Sequence, residues 1–301
     1  MSSIFLFYDK EECKNGMDDD VPYYSFISGW LAANVNIIVT FPINKVLFRQ
    51  QIHGINSLTA FRQIRYEGLV MLPRGMLPPL LQKATSTAIM FSSYEKFYRI
   101  YSNHVFSRSS SSVRRFSAGA SAGLVECVFI PFERVQTLLV NDNHHSRFSN
   151  SFQIVNELWT KGGMIEFYRG FNAIIYRNFF ATGLWFLCRQ PLQEALPHSG
   201  AKLTNIASDF LSGAVLGAIL STLFYPLAVA KMHIMSKVSG SPFNSVSQAL
   251  HEVYMQRGRS FKNIYWGTRI NFLRSLLAWG IVNASYEFLM KTVFQCSNHK
   301  I

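Results

Sequence analysis

Charge is scarce in this 301-residue chain: only 15% of its residues are charged, and 17 of them are acidic. With 49% hydrophobic residues and a positive mean hydropathy, that scarcity excludes an ordinary soluble domain and predicts a membrane protein. Cysteine is equally sparse. Cys13, Cys127, Cys188 and Cys296 show no paired spacing, so they read as reduced thiols, mostly embedded in the membrane. There is no nucleophile elbow, phosphate-cradling glycine loop, metal-binding helix or carboxylate dyad, so an enzyme is not expected. An Arg-rich, acid-poor leader is missing too. The N-terminus instead holds Asp9, Glu11, Glu12, Asp18, Asp19 and Asp20, so targeting information is expected to be internal. The net charge of +12 comes without zinc-ligand spacing, aromatic RNA motifs or a recognition-helix pattern. Anionic lipid or an anionic solute is therefore a better partner than nucleic acid.

What is present is a repeat. Residues 21–44 and 210–230 carry no charge, each stretch being long enough to cross a hydrocarbon core of ~30 Å. Pro42, Pro131 and Pro226 each close an apolar run and lie 89 and 95 residues apart. After each proline come a basic stretch, a short amphipathic segment and a turn ending in glycine: Leu72-Pro73-Arg74-Gly75, Phe167-Tyr168-Arg169-Gly170 and Ile264-Tyr265-Trp266-Gly267. A second apolar span follows each turn and ends at Glu95, Arg189 or Glu287, 20, 19 and 20 residues past its glycine. A fixed period with a constant internal register predicts three copies of one unit, each a helix, a surface helix and a helix. The expected architecture is an all-α membrane protein of six transmembrane helices in three pseudo-threefold repeats, with short surface helices. Its divisions are an acidic tail 1–20, repeats 21–105, 106–197 and 198–295, and a tail 296–301.

Each even-numbered span carries one cation near its middle: Lys83, Arg177 and Arg274, which lie 8, 7 and 7 residues past their glycines. Three cations at equivalent depth in apolar sequence predict an anion site. Glu126, five residues before Pro131, is an isolated acid in an odd-numbered span. Two roles are open to it: counter-ion to Lys83 or Arg177, or contact with a positive or hydroxyl-bearing part of the ligand. Ser28 with Ala32, Gly119 with Gly123 and Gly213 with Gly217 give small-xxx-small spacing, which predicts close helix approach.

The prolines, basic residues and glycine turns, recurring three times from about Tyr24 to Lys291, resemble the mitochondrial carrier family. Within it, the strings 41–51, 78–83, 131–139, 168–170 and 274–289 are similar to those of animal mitochondrial NAD carriers. The resemblance implies a mitochondrial inner-membrane address, alternating access, NAD as transported substrate, no cofactor, and a functional monomer with bound cardiolipin near Gly75, Gly170 and Gly267. It maps substrate contacts onto Gln82 with Lys83, Arg177 with Asn178, and Arg274 with Ser275. It also implies a matrix gate made by the second position after one proline and the fifth after the next: Asn44–Gln136, Glu133–Lys231 and Ala228–Leu47, braced by Gln51. One ion pair stands where the family has three, yet each pair is chemically matched. On the cytosolic side the family motif is degraded. Arg189 replaces an acid and is expected to bridge Glu95 and Glu287, with Tyr98 as a hydroxyl donor. Two other functions remain open: a carrier of small carboxylates or keto acids, for which Arg177-Asn178 speaks, and a carrier-fold scaffold that does not transport.

Overall fold

The structure, a computed structural model, describes residues 21–68, 73–106, 108–144, 147–195, 202–238 and 243–288. The two expected tails lie outside these. The helices are α1 Val21–His53, α2 Ser57–Glu67, α3 Leu77–Ile100, α4 Ser111–Val125, α5 Ile130–Val140, α6 Ser151–Phe167, α7 Phe171–Ala195, α8 Lys202–Leu223, α9 Tyr225–Ser236, α10 Val246–Gln256, α11 Phe261–Ile264 and α12 Thr268–Phe288. Among the described residues there is no strand.

Proline sets where the odd-numbered spans bend, because it lacks an N–H and its ring crowds the carbonyl four residues back. The middle span breaks into α4, a 3₁₀ turn Glu126–Phe129 and α5, with Pro131 in the first turn of α5. The last span breaks at Phe224, and its two segments, Gly213–Leu223 and Tyr225–Ser236, diverge by 61°. The first span keeps Pro42 inside one continuous helix. Among the described residues, by length and apolarity alone, one helix (Trp30–His53) passes as a membrane span, and the bent pair makes a second if counted as one. In α3, α7 and α12, the charges Lys83, Arg177 and Arg274 dilute the apolar character.

Each surface helix buries a pair of residues a turn apart against the segment after its own proline, and α6 buries Glu166 and Phe167 as well. Ala60 and Ile64 of α2 pack on Val46. Ile154 and Leu158 of α6 pack on Val135, Leu138 and Leu139. On α10, Ala249 meets Ala230 and Ile234, and Val253 meets Val229. Side chains start two of these helices: Asn150 accepts from the Gln153 amide, and Ser245 forms a reciprocal cap with Gln248. At the end of α9, Lys237 above all, with His233, holds the Glu252 carboxyl of α10 down to about 2.

The three glycine turns share one conformation. Gly75, Gly170 and Gly267 have φ of 86°, 89° and 100°, a left-handed region that glycine enters without a Cβ penalty. Each abuts the helix of the next repeat in rotation: Gly75 touches Leu139 and Val140, Gly170 touches Ile234 and Met235, and Gly267 touches Gln50. Leu139, Ile234 and Gln50 all stand eight residues past their proline, so the pseudo-threefold relation is written in contacts.

Neighbouring spans close a ring: α1 packs on α3, α3 on α4, α4 on α7, α7 on α8, α8 on α12 and α12 on α1. The segments past the prolines also meet pairwise, α1 with α5, α5 with α9 and α9 with α1, which closes the ring at that end. Gly119 and Gly123 serve the α4–α7 contact. A Cβ on Gly123 would sit 2.6 Å from the Asn178 carbonyl oxygen, and one on Gly119 would sit 3.0 Å from Phe186. Gly213 departs from the expected packing, since nothing among the described residues lies within 4 Å of a Cβ built there. Cys127 and Cys188 are free thiols.

Candidate functional site

The equivalent glycine turns place Lys83, Arg177 and Arg274 each six residues past the start of α3, α7 and α12, or ~9 Å along each axis at 1.5 Å per residue. Their charges converge. Arg177 is within electrostatic reach of Arg274, Glu126, Glu133 and Lys231. Lys83 reaches the same two acids and Lys231. Cations from all three repeats thus act on one another or on shared partners, among them two carboxylates from the second.

Glu126 stands in the 3₁₀ turn, and its Oε1 accepts a hydrogen bond from Ser86 Oγ of α3 at 2.9 Å. Ser86 is only 5% exposed and lies on the same face of α3 as Lys83, three residues away. Gln82 is half-buried beside Lys83. The other two expected neighbours of the cations turn elsewhere. Asn178 Nδ2 donates to the Gly123 carbonyl across the α4–α7 contact at 3.4 Å, where the missing Cβ of Gly123 lets the two backbones close. Ser275, buried, donates to the Asn271 carbonyl of its own helix at 2.8 Å.

At the closed end, Lys231 Nζ lies 2.7 Å from Glu133 Oε2. Leu47 packs with Tyr225 and Val229, next in sequence to the half-buried Ala228. Asn44 and Gln136 are half-buried on the adjoining helices α1 and α5. The buried Gln51 hydrogen-bonds through its side chain to the Tyr225 hydroxyl, which donates to the Trp266 carbonyl at 2.7 Å. A chain of polar contacts therefore runs from the end of α1 through the start of α9 to the turn before α12.

At the opposite end, the Arg189 guanidinium lies 4.7 Å from the centre of the Trp185 ring, one turn back on α7. Tyr98 stacks on Tyr94, which stacks face to face on Phe186. Glu95 lines a surface hollow on α3 with Ser92, Lys96 and Arg99. The side chain of Glu287 lies outside the described residues.

Two arginines missed by the sequence reading tie the closed end together. Arg257 donates to the carbonyls of Gln50 at 3.1 Å and Gln51 at 2.7 Å, and to those of Asn263 and Ile264. Arg134 donates to the carbonyls of Met235 and Lys237 and pairs with Glu166 at 3.2 Å. Each satisfies last-turn carbonyls of a helix in another repeat, groups that have no partner within their own helix. An amide–hydroxyl link also escaped that reading, Asn271 Nδ2 to Ser221 Oγ at 3.1 Å.

Comparison with known proteins gives three matches to one family model, described as mitochondrial carrier protein, over residues 18–105, 108–200 and 202–297. A mitochondrial nicotinamide adenine dinucleotide transporter of Mus musculus is 41% identical over 268 residues, covering 89% of both chains. One of Homo sapiens is 40% identical over 272 residues with the same coverage. A probable mitochondrial 2-oxodicarboxylate carrier of Dictyostelium discoideum is 25% identical over 274 residues, covering 89% of this chain and 90% of its own.

Proposed function

The chain belongs to the mitochondrial carrier family, and from that premise we propose that it moves NAD across the inner membrane into the matrix by alternating access. It is a transporter, not an enzyme, and a multi-pass protein of the mitochondrial inner membrane. Six spans follow: α1, α3, α4 with α5, α7, α8 with α9, and α12.

The observation that carries the substrate is the shared charge cluster. Lys83, Arg177 and Arg274 supply positive charge from all three repeats, and Glu126 reaches two of them. A pyrophosphate bridge needs several cations at once, and arginine forks suit its oxygens. A carboxylate in the same space suits the positive nicotinamide ring or a ribose hydroxyl. Transporters named for NAD at 40–41% identity support the same substrate. The keto-acid alternative leans on Arg177-Asn178, and Asn178 spends its amide on Gly123. Its named relative is also more distant, at 25%.

The end past the prolines is the matrix gate, here closed. Glu133–Lys231 is its ion pair, Leu47 with Ala228 its apolar pair, Asn44 with Gln136 its amide pair, and Gln51 its brace through Tyr225. Arg189, Glu95, Glu287 and Tyr98 form the cytosolic latch, where Arg189 also lies over Trp185. The exposed amides at the helix starts after Gly75 and Gly170 suit a cardiolipin phosphate. At the third start, Trp266 stands where the other two have arginine. The carrier works as a monomer.

The test is uptake of radiolabelled NAD by liposomes holding the purified protein, with keto acids as competitors. Saturable NAD uptake is expected, and Lys83→Ala and Glu126→Ala should each abolish it. Uptake of keto acids without NAD would transfer the function to the alternative.

A further inference from the structure

We infer that Asn271 is a positioning residue that aims Arg274 at the transported anion, an assignment that rests on the carrier reading above. Asn271 stands four residues past Gly267, in the first turn of α12. The corresponding residues of the other two repeats are Pro79 and Ile174, so the fold itself does not call for an amide there. The side chain is 6% exposed and engaged at both ends. Its Oδ1 accepts from Arg274 Nη2 at 3.3 Å, and its Nδ2 donates to Ser221 Oγ of α8 at 3.1 Å. Ser221 sends its own proton to the Ala218 carbonyl at 2.9 Å, so its oxygen faces the amide as an acceptor. That relay fixes the amide's direction: turned over, it would set N–H against N–H at the arginine.

The chemistry of an amide matters here. It fixes one arm of the guanidinium without cancelling its charge. An aspartate in the same place would hold the arginine more tightly, but as a neutral pair. Arg274 keeps a buried Nε without a partner among the described residues, and the like charge of Arg177 acts on it. Two half-buried cations that repel each other are costly until an anion enters between them. Asn271 thus presents an oriented, uncompensated cation to the substrate.

Two measurements on wild type, Asn271→Asp and Ser221→Ala decide this. In reconstituted uptake, Asn271→Asp should raise the KM for NAD by about tenfold, the equivalent of one charged hydrogen bond, with Vmax little changed. In detergent, inorganic pyrophosphate should raise the unfolding midpoint of wild type but not of Asn271→Asp, whose midpoint without ligand should stay near wild type. An unchanged KM and an unchanged pyrophosphate effect in Asn271→Asp would overturn the proposal. So would a fall of Vmax and midpoint together, the mark of a purely structural residue, or a wild type that pyrophosphate does not stabilise. If wild type responds to pyrophosphate, Asn271→Asp loses that response and neither imports NAD, the NAD reading fails while the positioning role stands. Should Asn271→Asp not fold, Ser221→Ala decides: a raised KM at constant Vmax supports the relay, and wild-type values sink it.

Discussion

Gly123 shows how much can depend on a missing side chain. A Cβ there would meet the Asn178 carbonyl oxygen at 2.6 Å and its carbonyl carbon at 3.0 Å, and backbone cannot swing aside as a side chain can. Gly123→Val should therefore cost about 1–3 kcal/mol, the usual range for overpacking. A lower unfolding midpoint of the detergent-solubilised protein would report it, and an unaltered midpoint would refute the close approach. At this scale the sequence is legible where a residue type is rare in its setting. Lys83, Arg177, Arg274 and Glu126 stand out as charges in apolar helices, and their constant register fixes their depth. Ser86 and Asn271 do not stand out, because serine and asparagine occur on any helix. Their partners are 40 and 50 residues away, Glu126 and Ser221 respectively, and spacing along the chain carries no trace of such pairs. Asn178 and Ser275 adjoin the right cations, but adjacent residues on a helix point about 100° apart. Their polar atoms went to packing.

Elements are joined by arginines that reach the carbonyl ends of helices. Arg257 caps the end of α1 and Arg134 the end of α9, each from another repeat. Arg257 serves four carbonyls at 2.7–3.2 Å, and hydrogen bonds to a charged group contribute about 1.5–3 kcal/mol each. Arg257→Leu is expected to cost about 3 kcal/mol or more and to lower the thermal midpoint accordingly. Arg257→Lys should recover little of this, since one ammonium cannot span two pairs of carbonyls. Recovery to the wild-type midpoint by lysine would show that charge, not the planar fork, is what counts. That a proline closes each apolar run was readable in advance, because the loss of an N–H is a local fact. The size of each bend was not: Pro42 lies within an unbroken helix while the Pro226 break opens to 61°. What differs is the packing around each proline, which the chain's local chemistry does not encode.

Over the whole molecule, the proposed gate rests on the Glu133–Lys231 ion pair set among amides and apolar side chains. Breaking a partly buried pair from one side leaves an uncompensated charge, at a cost of about 3–5 kcal/mol. Glu133→Lys and Lys231→Glu should each remove NAD uptake, and the double exchange should restore a substantial part of it. If the double variant is as inactive as either single one, the two side chains do not act as a gate. The three repeats, their order and the spacing of their turns were legible because a period near 90 residues repeats three times. Which end of the ring is shut, and by what, is a matter of tertiary contact. The meeting of Gly267 and Arg257 with Gln50 also bears on how the chain is made. Those contacts join α1 to a turn more than 200 residues further along the chain. One flank of the opening helix is therefore complete only when the third repeat is seated against it.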